Sequence, residues 1–393
     1  MKHKSLLLIP IALLLSSCFS YSNSNNYNNG NGNNNNNNVS QEKVTDGILS
    51  FNGSSVTALD TSISGDIIIP DVYNSQTITT IPSGAFKNCT KIKSIYIPKT
   101  VTSIAQGAFA GCIQLESITV PFVGLSPDKT SGGGHLGQIF GTDSYNGGTA
   151  VKSYYNGSSY NAYYLPSSLR SVTVTDATTL VYGAFQNAKM LTEINLNDDI
   201  IAVGDYCFSG VNQIKTVSLP NIYTIPYGCF EGCTKLESFN IGNKVTKIDY
   251  KAFKDCMNLT RVGSDVDGKF VVPDSVTEIS DNAFYNCLKI EDITLPIIGN
   301  SDSKTGGGGH FGRIFGDSSY TGATSAKCYY SSSSYNAYYV PAGLRSVTIT
   351  SATHVVMGAF QNMSMLTSLR INQAASSSVG DRAFENCVQP IWY

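Results

Sequence analysis

Two histidines, His135 and His310, each follow a run of glycines, in SGGGHLGQIFG from residue 131 and GGGGHFGRIFG from residue 306. Glycines ahead of a polar residue can cradle phosphate, but a phosphate loop continues into Gly-Lys-Ser/Thr and neither run does. A histidine can ligate a metal, yet only Asp128 or Asp302 stands close by, too few ligands for a site. Both runs therefore read as turns ahead of an apolar anchor, Ile139-Phe140 or Ile314-Phe315. Asp265-Val266-Asp267-Gly268 opens like a calcium loop but lacks the remaining acids and the closing Glu. Asp198-Asp199 reads as a solvated turn. The nucleophile elbow Gly-x-Ser-x-Gly and the zinc motif His-Glu-x-x-His do not occur. A glycan hydrolase housed near the histidines would need two carboxylates facing one cleft, and acids at matched positions are too few. The expectation is a protein without catalysis, metal or cofactor.

Tyrosine is the better-represented chemistry. Tyr154, Tyr155, Tyr160, Tyr163 and Tyr164 recur 175 residues on as Tyr329, Tyr330, Tyr335, Tyr338 and Tyr339. Tyrosine among Ser, Gly and Asn suits contact surfaces, and protruding loops on a rigid scaffold often carry function. A planar ring can stack on a sugar face or fill a protein pocket. The competing reading is a Tyr-rich hairpin that packs against its support. Residues 121–193 and 296–368 align without a gap, with well over half the positions identical. A block has been duplicated, and two Tyr/Gly-rich inserts, at about 122–165 and 297–340, should emerge from one side at two levels.

Cysteine is the third candidate. Cys89, Cys112, Cys233, Cys256, Cys287 and Cys387 each lie three residues after a phenylalanine; Cys207 and Cys229 stand where an alanine precedes one, and Cys328 lies in an insert. In an exported protein such a set can be a disulfide framework. Ala188, Val211 and Met363 fill the same position in other copies, which favours a ladder of small buried thiols. No Cys-x-x-Cys pair is present to bind zinc.

The elements that carry these residues form an internal repeat. The phenylalanine marker recurs at 86, 109, 185, 208, 230, 253, 284, 360 and 384, mostly 22 to 24 residues apart. The two gaps of 76 each equal two periods of 23 plus 30 residues, and Leu169-x-x-Val172-x-Val174 and Leu344-x-x-Val347-x-Ile349 mark the additional coil. A period of this length indicates a solenoid. Leu-x-x-Ile-x-Val-Pro suits a short strand with one buried face, ended by a proline that lacks an N–H. Val-x-x-Ile begins a second strand. The Ala-Phe-x-x-Cys-x-x-Leu segment fits one or two turns of helix. One unit cannot cover its own apolar face, so neighbours must stack. The motif Ile-x-x-x-Ala-Phe-x-x-Cys-x-x-Leu-x-x-Ile-x-Ile-Pro, over roughly residues 81–393, resembles the BspA-type leucine-rich repeat of bacterial surface proteins. The markers with the additional coils make about eleven coils, and the resemblance implies an α/β repeat solenoid with short parallel strands and short helical turns. It also implies export, a cell-surface location and binding to a macromolecule, without naming one.

The rest of the chain agrees with that setting. Residues 1–18 read as a lipoprotein signal: Lys2 and Lys4, an apolar run from Leu6 to Leu15, then Leu15-Ser16-Ser17-Cys18, which resembles a lipobox with lipid on Cys18. Residues 19–43 are an Asn-rich tether without core-forming residues. Residues 44–80 read as a strand-rich cap. Across 393 residues only 14% are charged and the net charge is −2, so there is no basic field to hold nucleic acid or an anionic bilayer. The expected partner is an extracellular protein or glycan, with membrane contact only through lipid at Cys18. A structural or self-associating envelope protein is the alternative.

Overall fold

The computed structural model describes residues 47–263 and 269–393. The signal, Cys18, the Asn-rich segment and Asp265 to Gly268 lie outside the described residues. The rest is a parallel-strand solenoid. Ser64–Ile68, Lys91–Tyr96, Ser117–Val120, Ser171–Val174 and Glu193–Asn195 form one parallel sheet, each strand from a successive coil. Thr216–Leu219, Ser238–Ile241 and Arg261–Val262 form the next, and Asp292–Leu295, Ser346–Ile349, Ser368–Ile371 and Ile391–Trp392 the last. Register follows the repeat: Ile118 faces Val172, Val217 faces Phe239 and Ile293 faces Val347. These partners are buried while the Ser, Thr and Asn between them face outward, as period-two alternation requires. A second, two-residue ladder runs through Thr224–Ile225, Lys247–Ile248 and Glu278–Ile279.

The Ala-Phe segment departs from the expected helical turn. Backbone φ is positive two residues before and two residues after every marker phenylalanine, from Gly84 and Asn88 around Phe86 to Arg382 and Asn386 around Phe384. A right-handed helix cannot run through such residues. The chain closes instead in successive three-residue turns, Ala108 N–H to Ala105 O, Ala110 N–H to Gly107 O and Cys112 N–H to Phe109 O. The groups that a helix would consume internally then point along the stack. Phe86 N–H reaches Ala108 O and Asn88 N–H reaches Ala110 O, both at 2.8 Å. Glycine and asparagine tolerate this backbone best, which accounts for their recurrence at both offsets. Inside the turns the rings stack: centroids of Phe185, Phe208, Phe230 and Phe253 are 5.1–5.4 Å apart and within 7° of parallel.

Two boundaries differ from expectation. Within residues 44–80, Ser55–Ala58 pairs in parallel with Thr80–Ile81, and Ser64–Ile68 with Lys91–Tyr96. The region expected as a cap therefore already contains a coil, preceded by the antiparallel partner strand Leu49–Asn52. The inserts are also largely coil. Ile104 N–H bonds Leu125 O at 2.8 Å, where the second ladder would continue. The 3₁₀ turn Leu136–Ile139 takes the place of an Ala-Phe turn: Phe109 N–H donates to Ile139 O and Leu136 N–H to Ala184 O, both at 2.9 Å. Phe284 to Ile314 and Phe311 to Ala359 repeat this at 2.9 and 3.0 Å. Phe140 and Phe315 are fully buried. In each insert an antiparallel hairpin, Gly148–Tyr154/Tyr160–Pro166 or Ala323–Tyr329/Tyr335–Pro341, is additional to the stack.

Candidate ligand-contact site

Each hairpin is fastened to the turn column by residues from two neighbouring coils. In the first, Tyr154 N–H donates to Gln186 Oε1 at 2.8 Å and Asn187 Nδ2 to Lys152 O at 2.7 Å. On the other strand Tyr164 N–H donates to Gly141 O at 3.1 Å. The second hairpin repeats all three: Tyr329 to Gln361 at 2.9 Å, Asn362 to Lys327 at 2.6 Å and Tyr339 to Gly316 at 2.9 Å. Gln186 and Gln361 are buried, so their amide oxygens have lost water and gain most from these donors. Tyr145 and Tyr320, which were not among the expected site residues, donate to Tyr164 O and Tyr339 O at 2.9 Å.

Register divides the tyrosines by face. Val151 pairs with Tyr163 and Ala326 with Tyr338, and all four point inward. Tyr163 is 0% and Tyr338 2% exposed. These two leave the expected contact set, because their rings lie against the 3₁₀ turns. A Cβ on Gly137 would collide with the Tyr163 ring, and one on Gly312 would stand 2.6 Å from Tyr338 Cβ. The two hydroxyls meet the histidines. Tyr163 OH is 3.5 Å from His135 Nδ1 and Tyr338 OH 3.3 Å from His310 Nδ1. Nε2 of each ring lies 3.0 Å from a carbonyl of the next coil, Tyr182 O or Met357 O. The carbonyl places the proton on Nε2 and leaves Nδ1 as acceptor. Burial lowers both histidine pKa values. They are neutral clamps between hairpin and coil, and no cluster of metal-binding side chains forms among the described residues.

The opposite face of each hairpin is open. Tyr154 pairs with Tyr160 across the first hairpin and Tyr329 with Tyr335 across the second, with ring centroids 5.3 Å apart in both. Lys152 Nζ stands 4.7 Å from the Tyr160 ring, and Lys327 Nζ 5.0 Å from Tyr335. Tyr164 and Tyr339 share that face by alternation and are partly exposed. Tyr155 and Tyr330 start the hairpin loops, where their rings approach Gly132 and Gly307. Beside the second hairpin is a cleft of about 320 Å³, lined among others by Asp281, Arg313, Asp317, Tyr335 and Asn336. Arg313 Nε donates to Asp281 at 2.7 Å.

A second aromatic surface escaped the sequence reading. Tyr182, Tyr206, Tyr227 and Tyr250 form a column along four consecutive coils, with centroids 5.6, 5.1 and 5.3 Å apart. Three stand three residues before their phenylalanine; Tyr206 stands two before and takes positive φ. A bulky side chain in that backbone region costs roughly 1–3 kcal/mol. The available signal was a tyrosine at a fixed offset, blurred by that one-residue shift.

The column cysteines are unpaired and buried, Cys387 less so. Cys112, Cys233, Cys256 and Cys287 donate S–H to the carbonyl of the preceding coil's phenylalanine at 3.1–3.2 Å. Burial pushes the Cys112 thiol up to about 12 and Cys89 to about 11, which keeps them protonated and unreactive at neutral pH.

With coils, turns and hairpins established, comparison places the chain. It belongs to the BspA type leucine rich repeat region family, whose model matches six copies over residues 50–125, 158–265, 268–303 and 325–391. The internal stretches left unmatched include both glycine-rich turns. Solved structures similar to it include a leucine-rich repeat protein from Bacteroides ovatus, 21% identical, covering 87% of this chain and 79% of that one, with TM-score 0.39. Another is a leucine rich cell surface protein from Faecalibacterium prausnitzii, 19% identical, with 89% and 76% covered and TM-score 0.34. The Leucine Rich Repeat protein of T. pallidum is 18% identical, with 62% and 87% covered and TM-score 0.33. No curated protein matches.

Proposed function

We propose that this protein is exported, is held at the outer face of a bacterial membrane by lipid on Cys18, and binds an extracellular protein or glycan without transforming it. The contact surface is the outer face of the two hairpins. One observation carries the reading: the same outward-facing group, a half-buried tyrosine, an exposed tyrosine and a lysine, is built twice, as Tyr154, Tyr160 and Lys152 and as Tyr329, Tyr335 and Lys327. Tyrosine offers large contact area with few rotatable bonds, and two equivalent sites on one chain raise avidity. Low charge makes such binding weakly dependent on salt.

The test is binding of purified protein to arrays of extracellular-matrix proteins and glycans. Serine at 154, 160 and 164, and at 329, 335 and 339, should leave the circular dichroism intact and abolish retention. Undiminished retention dismisses the hairpins. For the anchor, labelled palmitate should be incorporated by the native chain and not by Cys18→Ser; equal labelling dismisses Cys18.

A further inference from the structure

We propose that the tyrosine column Tyr182, Tyr206, Tyr227 and Tyr250, together with the cleft at Asp281, Arg313 and Asp317, is a binding track for an extended polysaccharide of neutral sugars. This goes beyond the hairpin reading by adding a second surface, mostly outside the hairpins, with its own ligand class.

The column has the form such a ligand requires. Its rings are half-buried and braced against one another at 5.1–5.6 Å, so little side-chain freedom remains to be lost on binding. One ring per coil advances along the stack about as far as one sugar along an extended chain. Tyr206 supplies an independent sign. Its left-handed position is held by glycine in five sister copies, at 84, 107, 183, 228 and 358, and by Lys251, Asn282 and Arg382 in three; the ring placed there stays in file with Tyr182 and Tyr227 although it stands one residue closer to its phenylalanine. A column kept in file across a one-residue shift in sequence points to use of that surface.

The cleft continues the track. Asp281 occupies in its coil the place of Tyr250, three residues before phenylalanine, and the two coils are joined by Phe253 N–H to Ala283 O at 2.8 Å. Its volume of about 320 Å³ falls within the small-ligand range of roughly 300–1,000 Å³. Arg313 commits Nε to Asp281 and a further N–H to the Tyr338 hydroxyl, and its remaining N–H groups are donors. Asp317 is exposed and can only accept. Donors beside acceptors suit hydroxyl groups, which do both. Arg313 and Asp281 cancel in charge and Asp317 remains, so an acidic sugar or phosphate is repelled. A protein partner would want an apolar pocket for an anchoring side chain, and this lining is predominantly polar. In the first block the matching residues are Gln106, Gln138 and Thr142, which gives the track one polar end, at the second hairpin.

Affinity electrophoresis of the full chain carrying Cys18→Ser tests this, through gels containing β-glucan, mannan, xylan or galactan, with polygalacturonate and hyaluronate as acidic arms. At least one neutral polymer should retard the protein. Tyr227→Ala with Tyr250→Ala should weaken retardation at least tenfold, the corresponding Phe variants much less, and Asp317→Thr several-fold. Retardation lost with the alanine pair belongs to the column, whereas retardation lost with the hairpin serines at 154, 160 and 164 and kept by the alanine pair belongs to the hairpins and overturns this proposal alone. If the alanine pair lowers the melting temperature, Asp317→Thr, on an exposed side chain, decides. No retardation by any neutral polymer, retardation by the acidic polymers alone, or retardation indifferent to the alanine pair and to Asp317→Thr overturns the proposal, as does capture only by the protein spots of the array.

Discussion

The two duplicated blocks agree wherever a side chain fastens the hairpin and in the tyrosines and lysine of its outer face, and differ in the cleft beside it. His135 and His310, Gln186 and Gln361, Asn187 and Asn362, and Gly137 and Gly312 are identical in type and meet groups at equivalent positions. Even a change of residue keeps the bond: Ser153 Oγ and Cys328 Sγ donate to the carbonyls of Gln186 and Gln361 at 3.4 and 3.3 Å. The cleft-lining residues, by contrast, change from Gln106, Gln138 and Thr142 to Asp281, Arg313 and Asp317. Gln138 turns to its own Gly132 O at 3.0 Å, whereas Arg313 reaches across to the neighbouring coil. The fastenings and the outer faces of the two hairpins are the same and the clefts beside them are not, so any functional difference between the blocks belongs to the cleft.

The largest test of shared mechanics is the column ring inside each insert. Phe140→Ala and Phe315→Ala should each destabilise the protein by about 3–5 kcal/mol, as much as Phe230→Ala, in urea unfolding. Values near zero would make the inserts appendages. Next come the close approaches. Gly137→Ala and Gly312→Ala should each cost about 1–3 kcal/mol, because the added methyl overpacks Tyr163 or Tyr338; equal stability would mean the hairpins stand off. The histidines give a smaller effect with a defined sign. Their folded pKa values lie below the ordinary one of about 6.5, so the unfolded chain takes up protons first. Stability is full above that pH and declines as pH falls below it toward the folded values. The melting temperature should drop between pH 7 and pH 5, and less so in His135→Gln with His310→Gln; an unchanged slope removes the histidines from the account. Smallest is the cleft: exchanging Asp281, Arg313 and Asp317 for Gln, Gln and Thr should change stability by less than about 1 kcal/mol, since the ion pair is partly exposed. A larger loss would make the second cleft structural.

The strand ladders were readable because burial imposes the same residue type at the same offset in every coil. The turns were readable only in part: apolar spacing of three marks both a helix and a chain of tight turns, and the deciding residues were the glycines and asparagines at the left-handed positions. The insert coils were hidden because Ile139-Phe140 and Ile314-Phe315 lack the alanine and cysteine of the marker. For the tyrosines, period-two alternation in the hairpin strands separates the inward Tyr163 and Tyr338 from their outward neighbours, but composition alone does not. The cleft depends on three segments, at 281–282, 313–317 and 335–338, and no local pattern announces it.

Hydrogen exchange at single amides tests most directly whether the inserts are coils of the stack. Phe109, Leu136, Phe284 and Phe311 donate into or out of an insert and should exchange as slowly as Phe208 and Phe230, which donate between ordinary coils. Exchange of the insert amides at the rate of open loops, while Phe208 and Phe230 stay protected, would contradict the account.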